Sequence, residues 1–249
     1  MFKNILMLLS LKGESDMALD IASHRAILLK ILKNICTDLT IGPHLGFKGG
    51  TAAYLFYELP RFSVDLDFDL LNEDKEDVIF ERVLTALNEF GQIKEARKKR
   101  YSLFFLLSYN TTLPNAYNIK VEINRRNFSS KYEVKSYLGI PMKVMVKEDM
   151  VAHKMVAMFE RMENANRDIF DVWFFLKNNW KINTKIIEKR TNLPITHFLE
   201  KCINELEKMS DRGILSGMGE LLDTKQKLWA KAHLRQETIF LLKLKLSEF

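Results

Sequence analysis

Residues 65–69 alternate strictly between acidic and apolar side chains, Asp65-Leu66-Asp67-Phe68-Asp69, directly after Arg61-Phe62-Ser63-Val64. A strand sends successive side chains to opposite faces, so Asp65, Asp67 and Asp69 share one face and Val64, Leu66 and Phe68 the other. A second alternation, Tyr117 to Asn124, sets Lys120, Glu122 and Asn124 opposite Val121 and Ile123. Glu122 joins the aspartates if the two strands are neighbours. Runs at Gln92–Lys98 and Tyr101–Tyr109 are also β-rich, and a short hairpin is expected over Val134–Val146, with Gly139 and Pro141 marking its turn.

Between these strands the period lengthens. Ala22, Ile27, Leu28, Ile31, Leu32 and Ile35 recur at helical spacing within residues 16–39, and Ser15 or Asp16 is available as a cap. Ala52 to Leu59 predicts a helix ended by Pro60, a further helix covers about residues 75–90, and the chain is mainly helical from Lys147, with breaks at Asn192-Leu193-Pro194 and Arg212-Gly213. The pattern predicts an α+β protein with a mixed-sheet module over residues 1–146 and a helical module over 147–249. Met1 to Leu11 is a short apolar run with one lysine and no small-residue cleavage site, which reads as a docking helix or edge segment rather than a signal peptide.

The 47% hydrophobic content of the 249 residues is ample for a core and excludes a disordered chain. No stretch approaches the roughly 18 apolar residues of a membrane span, so a soluble, cytoplasmic protein is expected. Cys36 and Cys202 have no neighbour at metal-ligand spacing and read as reduced core thiols. A net charge of +6 is a mild argument for an anionic partner.

Three like charges on one strand face need a counter-ion. A divalent cation bound to a triphosphate is the strongest candidate, because Mg²⁺ binds through one or two carboxylates plus substrate phosphates. Gly49-Gly50-Thr51 at a helix start is a phosphate seat in that setting, although as an isolated tripeptide it reads better as a tight turn. Asp69, close to Asn72-Glu73-Asp74, is expected to cap the next helix or to be solvated at the strand end. Glu122 is the candidate third ligand or base. Lys154 and Arg161, seven apart, share a helix face that suits a triphosphate, while Asp168 and Asp171 either hold Lys154 or orient the nucleotide. Taken alone, Lys154 reads better as part of a surface charge network, and His153 reads as structural. Lys94, Arg97, Lys98, Lys99, Arg100, Arg125 and Arg126 suit either an RNA backbone or an ordinary solvated loop.

Together, Lys48-Gly49-Gly50-Thr51, Arg61, Ser63, Asp65, Asp67, Lys154 and Arg167-Asp168-Ile169-Phe170-Asp171 resemble the AbiEii/AbiGii nucleotidyltransferase toxins of the DNA polymerase β-like superfamily. The resemblance spans about residues 45–176 and implies a nucleotidyltransferase fold completed by a C-terminal helical module. It implies an NTP substrate and Mg²⁺ or Mn²⁺ at Asp65, Asp67 and Glu122, with Lys154 as a catalytic cation. It also implies nucleotide contacts from Lys48, Gly49, Gly50, Thr51, Ser63, Lys154, Asp168 and Asp171. The acceptor implied is an RNA such as a tRNA 3′ end, and the partner a cognate antitoxin. Thr51 replaces the Ser of many members and Glu122 the more usual Asp. The alternatives are a protein nucleotidylyltransferase or phosphotransferase on the same site, or a non-catalytic nucleotide-binding regulator.

Overall fold

The structure, a computed structural model, describes residues 21–109 and 118–249; the segment expected to dock at the amino terminus lies outside them. Helix α1 (Ile21–Thr37) precedes β1 (Leu45–Lys48), α2 (Gly49–Phe56), β2 (Leu66–Leu70) and α3 (Glu76–Asn88). Strands β3 (Gln92–Lys98), β4 (Ser102–Ser108), β5 (Asn118–Asn124), β6 (Tyr132–Tyr137) and β7 (Ile140–Met145) follow. They form one seven-stranded sheet in the order β3-β4-β5-β2-β1-β7-β6.

The sheet is mixed: β2 lies antiparallel to β1 and parallel to β5, and β1 lies parallel to β7. Parallel pairing needs crossovers, and the register they produce sets Asp67 directly opposite Glu122. Leu66, Phe68, Leu103, Phe105, Val121 and Ile123 turn away from the carboxylates and are buried. Helices α1 and α3 pack beside them through Ile31, Leu32 and Ile35 and through Ile79, Val83 and Leu87. Phe68 meets Phe47 at 5.2 Å between centroids, and truncating such a fully buried ring costs about 3–5 kcal/mol.

The β6–β7 turn is tighter than the sequence suggested. Leu138 and Gly139 both have positive φ (50° and 79°), as a two-residue type I′ turn requires, while Pro141 lies inside β7 opposite Ser136.

The rest of the chain is helical: α4 (Lys147–Arg161), α5 (Arg167–Lys177), α6 (Thr184–Thr191), α7 (Ile195–Lys208), α8 (Thr224–Trp229) and, after a π turn, α9 (Arg235–Leu246). Asn192, in the left-handed region at φ 56°, ends α6, and Pro194 precedes α7. Trp173 packs on Trp229 at 4.2 Å and Trp180 stacks on Phe175 at 4.4 Å. The helices are tied to the sheet side by Tyr57, whose ring meets Trp180 at 5.5 Å, and by the Phe62 amide, which donates to the Leu221 carbonyl. Among the described residues no helix is long and apolar enough to cross a membrane.

Candidate active site

The wall of the cleft begins where β1 passes straight into α2. Gly49 has φ +79°, and a Cβ there would overlap the Asp67 carboxylate. At Gly50 a Cβ would stand 2.8 Å from Arg61 Nη2 and 2.9 Å from Ser63 Oγ. Both positions therefore let bare backbone approach charged groups. Thr51 lies behind this wall: its buried hydroxyl reaches Ser63 Oγ at 2.9 Å and the Asp65 carbonyl, fixing the segment that leads into β2 instead of facing the cleft.

Asp65, Asp67 and Glu122 line the cleft together, as the alternation predicted. Lys120, two residues before Glu122 on the same strand face, places Nζ 3.2 Å from Glu122 Oε2 and 3.9 Å from both Asp65 Oδ2 and Asp67 Oδ1. Arg167 reaches Asp65 at 3.9 Å, and Ser102 donates to Glu122 Oε1 at 2.8 Å. Burial pushes the Asp65 carboxyl above its ordinary range, and the charge on Asp67 adds to that against the pull of Lys120 and Arg167. Glu122 moves the other way: burial opposes its ionisation, but Lys120 and the Ser102 hydroxyl hold it below the usual range. Among the described residues no three His, Cys, Asp or Glu side chains form a ready-made metal cage. The hard oxygen donors of Asp65 and Asp67 nevertheless fit a divalent ion that brings phosphate ligands with it.

Asp69 departs from both expectations set for it. It is buried and neither caps a helix nor meets solvent: Lys48 Nζ stands 2.5 Å from Oδ1, Asn124 Nδ2 donates to the same oxygen at 2.7 Å, and Tyr132 donates to Oδ2. The cap belongs to Asn72, which accepts from the Asp74 amide. Lys48 lines the cleft, but its charge is committed to Asp69. His153 lines the cleft too, and burial beside Lys48 and Arg190 drives it down to about 3, so it stays neutral between Ser130 and Arg190.

Facing the carboxylates is a chain of ion pairs from the helices. Asp171, fully buried, accepts from Arg61 Nε at 2.5 Å and Nη2 at 2.7 Å and holds Lys154 Nζ at 2.7 Å. Asp168, also fully buried, takes Lys154 at 2.8 Å and Arg161 at 2.6 Å. Burial works against the charge on Asp171, but Arg61 and Lys154 prevail and hold it below its ordinary range. Of the two roles open to these aspartates, the structure shows the holding role: neither lines the cleft, whereas Arg61, Lys154 and Arg161 do.

Several lining residues escaped the sequence reading. Lys120 and Arg190 carried no motif, and Arg61 and Arg167 were quoted without their partners, Asp171 and Asp65. Lys120 was signalled by its place on the face of Glu122. The expected basic cluster divides. Arg126 lines the cleft over the rings of Tyr101 and Phe128, at 5.1 and 5.4 Å, whereas Lys98 pairs with Asp77, Arg97 with Glu95 and Arg125 with Glu76. The cleft encloses about 280 Å³, close to the lower end for small-molecule sites.

The family model for "Nucleotidyl transferase AbiEii toxin, Type IV TA system" matches residues 30–227, which include every residue of this cleft. The chain belongs to the AbiEii nucleotidyltransferase toxin family. AbiEii membership makes it a nucleotidyltransferase of toxin type, acting on an NTP and paired with an antitoxin. Two solved structures share the AbiEii-type fold. JHP933 from Helicobacter pylori is 20% identical with a TM-score of 0.56, covering 93% of this chain and 97% of its own. MenT4, a nucleotidyltransferase toxin from Mycobacterium tuberculosis, is 19% identical with a TM-score of 0.60, covering 90% and 84%. No curated protein matches the chain.

Proposed function

We propose that this protein transfers a nucleoside monophosphate from an NTP to an RNA acceptor such as a tRNA 3′ end, with Mg²⁺ or Mn²⁺ held by Asp65 and Asp67. One observation carries the reading: two adjacent strands aim Asp65, Asp67 and Glu122 into a cleft whose opposite wall presents Lys154 and Arg161. A divalent ion there supplies Lewis acidity at the transferred phosphorus and lowers the pKa of the attacking hydroxyl. The chain's own residues do the rest. Gly49 and Gly50 admit the phosphates, and Lys154 and Arg161, fixed by Asp168, offset charge developing on the departing pyrophosphate.

Glu122 serves as the third carboxylate, a ligand rather than a base, because Lys120 and Ser102 favour its ionised form and weaken it as a proton acceptor. Arg126 beside Tyr101 and Phe128 offers a cation with aromatic faces, which suits an unpaired nucleotide. A toxin that modifies RNA works in the cytoplasm, where its antitoxin meets it.

The test is to incubate purified protein with each labelled NTP and Mg²⁺, adding total RNA or protein lysate in parallel. Label in RNA, lost in Asp65→Asn, is the expected result. Label in protein alone would replace the acceptor but keep the site, and no label anywhere would overturn the catalytic reading.

A further inference from the structure

The two lysines that reach this cleft are held in contrasting ways. Lys154 is clamped between Asp168 and Asp171 at 2.8 and 2.7 Å, with both aspartates fully buried. Lys120 makes one contact at 3.2 Å and two at 3.9 Å, and its side chain is twice as exposed, at 24% against 12%. Its ammonium nonetheless sits where three carboxylates converge, the place any ligand-bearing cation must share. No other lysine of the cleft can take it, since Lys48 is committed to Asp69.

From this geometry we infer that Lys120 is a built-in competitor of the divalent ion: its ammonium neutralises Asp65, Asp67 and Glu122 in the metal-free protein and must withdraw before the ion binds. The inference rests on the metal reading above and adds a residue that sets ion affinity. Coulomb attraction near 4 Å is strong enough at a protein surface for the competition to matter, and the loose contacts with a flexible stem allow the ammonium to leave. Lys120 thereby keeps the carboxylates from repelling one another while weakening their hold on the ion. Arg167, at 3.9 Å from Asp65 alone, cannot neutralise the three together.

Mn²⁺ titration followed by electron paramagnetic resonance tests this without reference to turnover. The full chain, Lys120→Met, Lys120→Arg and the double variant Lys120→Met/Asp65→Asn are titrated without nucleotide and again with each NTP, with melting curves in chelator to verify folding. Lys120→Met is expected to bind Mn²⁺ about tenfold more tightly than the parent, Lys120→Arg to stay near it, and the double variant to lose the gain. Equal affinity in Lys120→Met and the parent would overturn the inference and leave the metal reading standing. Weaker binding in Lys120→Met would overturn it by showing that Lys120 orders the ligands. If folded parent and Lys120→Met both bind no Mn²⁺, with or without any NTP, the metal reading itself falls and takes the inference with it.

Discussion

Two charge clusters face each other across one cleft and are built on opposite principles. On the helix side Arg61, Lys154 and Arg161 meet Asp168 and Asp171, three cations against two carboxylates, with every carboxylate buried and bonded at 2.5–2.8 Å. On the sheet side Asp65, Asp67 and Glu122 share Lys120 at 3.2–3.9 Å, leaving an excess of negative charge open to the cleft. The first cluster is complete and holds its cations in fixed positions. The second is incomplete and asks for a cation. The difference teaches that burial alone does not mark a functional charge: the fully buried aspartates position, and the half-buried carboxylates are available to bind.

The comparison breaks most severely at Asp171. Asp171→Ala leaves Arg61 buried without its carboxylate, with only the Phe62 carbonyl to accept from it, and removing one member of such a pair costs about 3–5 kcal/mol. Urea denaturation measures it, and a loss under about 1 kcal/mol would mean that the network does not hold the helices to the sheet.

The sheet side should answer in the opposite sense. Asp65→Asn and Asp67→Asn are each expected to lower transfer by at least about 10²-fold while leaving metal-free stability unchanged or slightly higher, because a repulsive charge is gone. Rate and melting temperature are read on the same preparations, and near-normal turnover in either variant removes that aspartate from the ion.

Acidity sharpens the contrast. Because the folded protein raises the pKa of Asp65, ionising that group opposes folding, so its unfavourable contribution is present at neutral pH and fades as pH falls through the raised value. The stability advantage of Asp65→Asn should therefore be largest near pH 7 and shrink towards pH 4. Asp171, with a depressed pKa, contributes stability that is present above the ordinary carboxylate range and is lost on further acidification. Denaturation curves across that range separate the two.

The smallest effect is expected outside both clusters. Replacing Arg97, Lys98, Lys99 and Arg100 together by Ser should weaken RNA binding less than about tenfold in 50 mM salt, and the loss should shrink as salt rises. Arg97 and Lys98 already pair with Glu95 and Asp77, and Lys99 sits 3.2 Å over the Phe104 ring. A larger loss by filter binding would make this turn the main RNA contact in place of Arg126.

The sheet half of the site was legible because strand periodicity assigns faces without tertiary information: Asp65, Asp67 and Glu122 followed from alternation, and Gly49-Gly50 from its place before a helix. The same logic placed Asp69 on that face but could not see Lys48, Asn124 and Tyr132 closing around it, since those contacts span 21 to 63 residues. Thr51 preserved a hydroxyl, yet only the folded loop reveals that the hydroxyl turns inward. Spacing on α4 and α5 brought Lys154, Arg161, Asp168 and Asp171 together. The fifth member, Arg61, is fixed by how the helices dock on the sheet, which no local pattern records.

That long reach has a consequence for synthesis. Arg61 leaves the ribosome 110 residues before Asp171, an interval of roughly 5–20 s at ordinary elongation rates. During it the growing polypeptide carries the acidic strand but lacks the aspartates that fix the opposing cations. A cleft so arranged cannot be completed before α5 has been made, and a translation product that stops short of α5 lacks the carboxylates that fix Arg61 and Lys154.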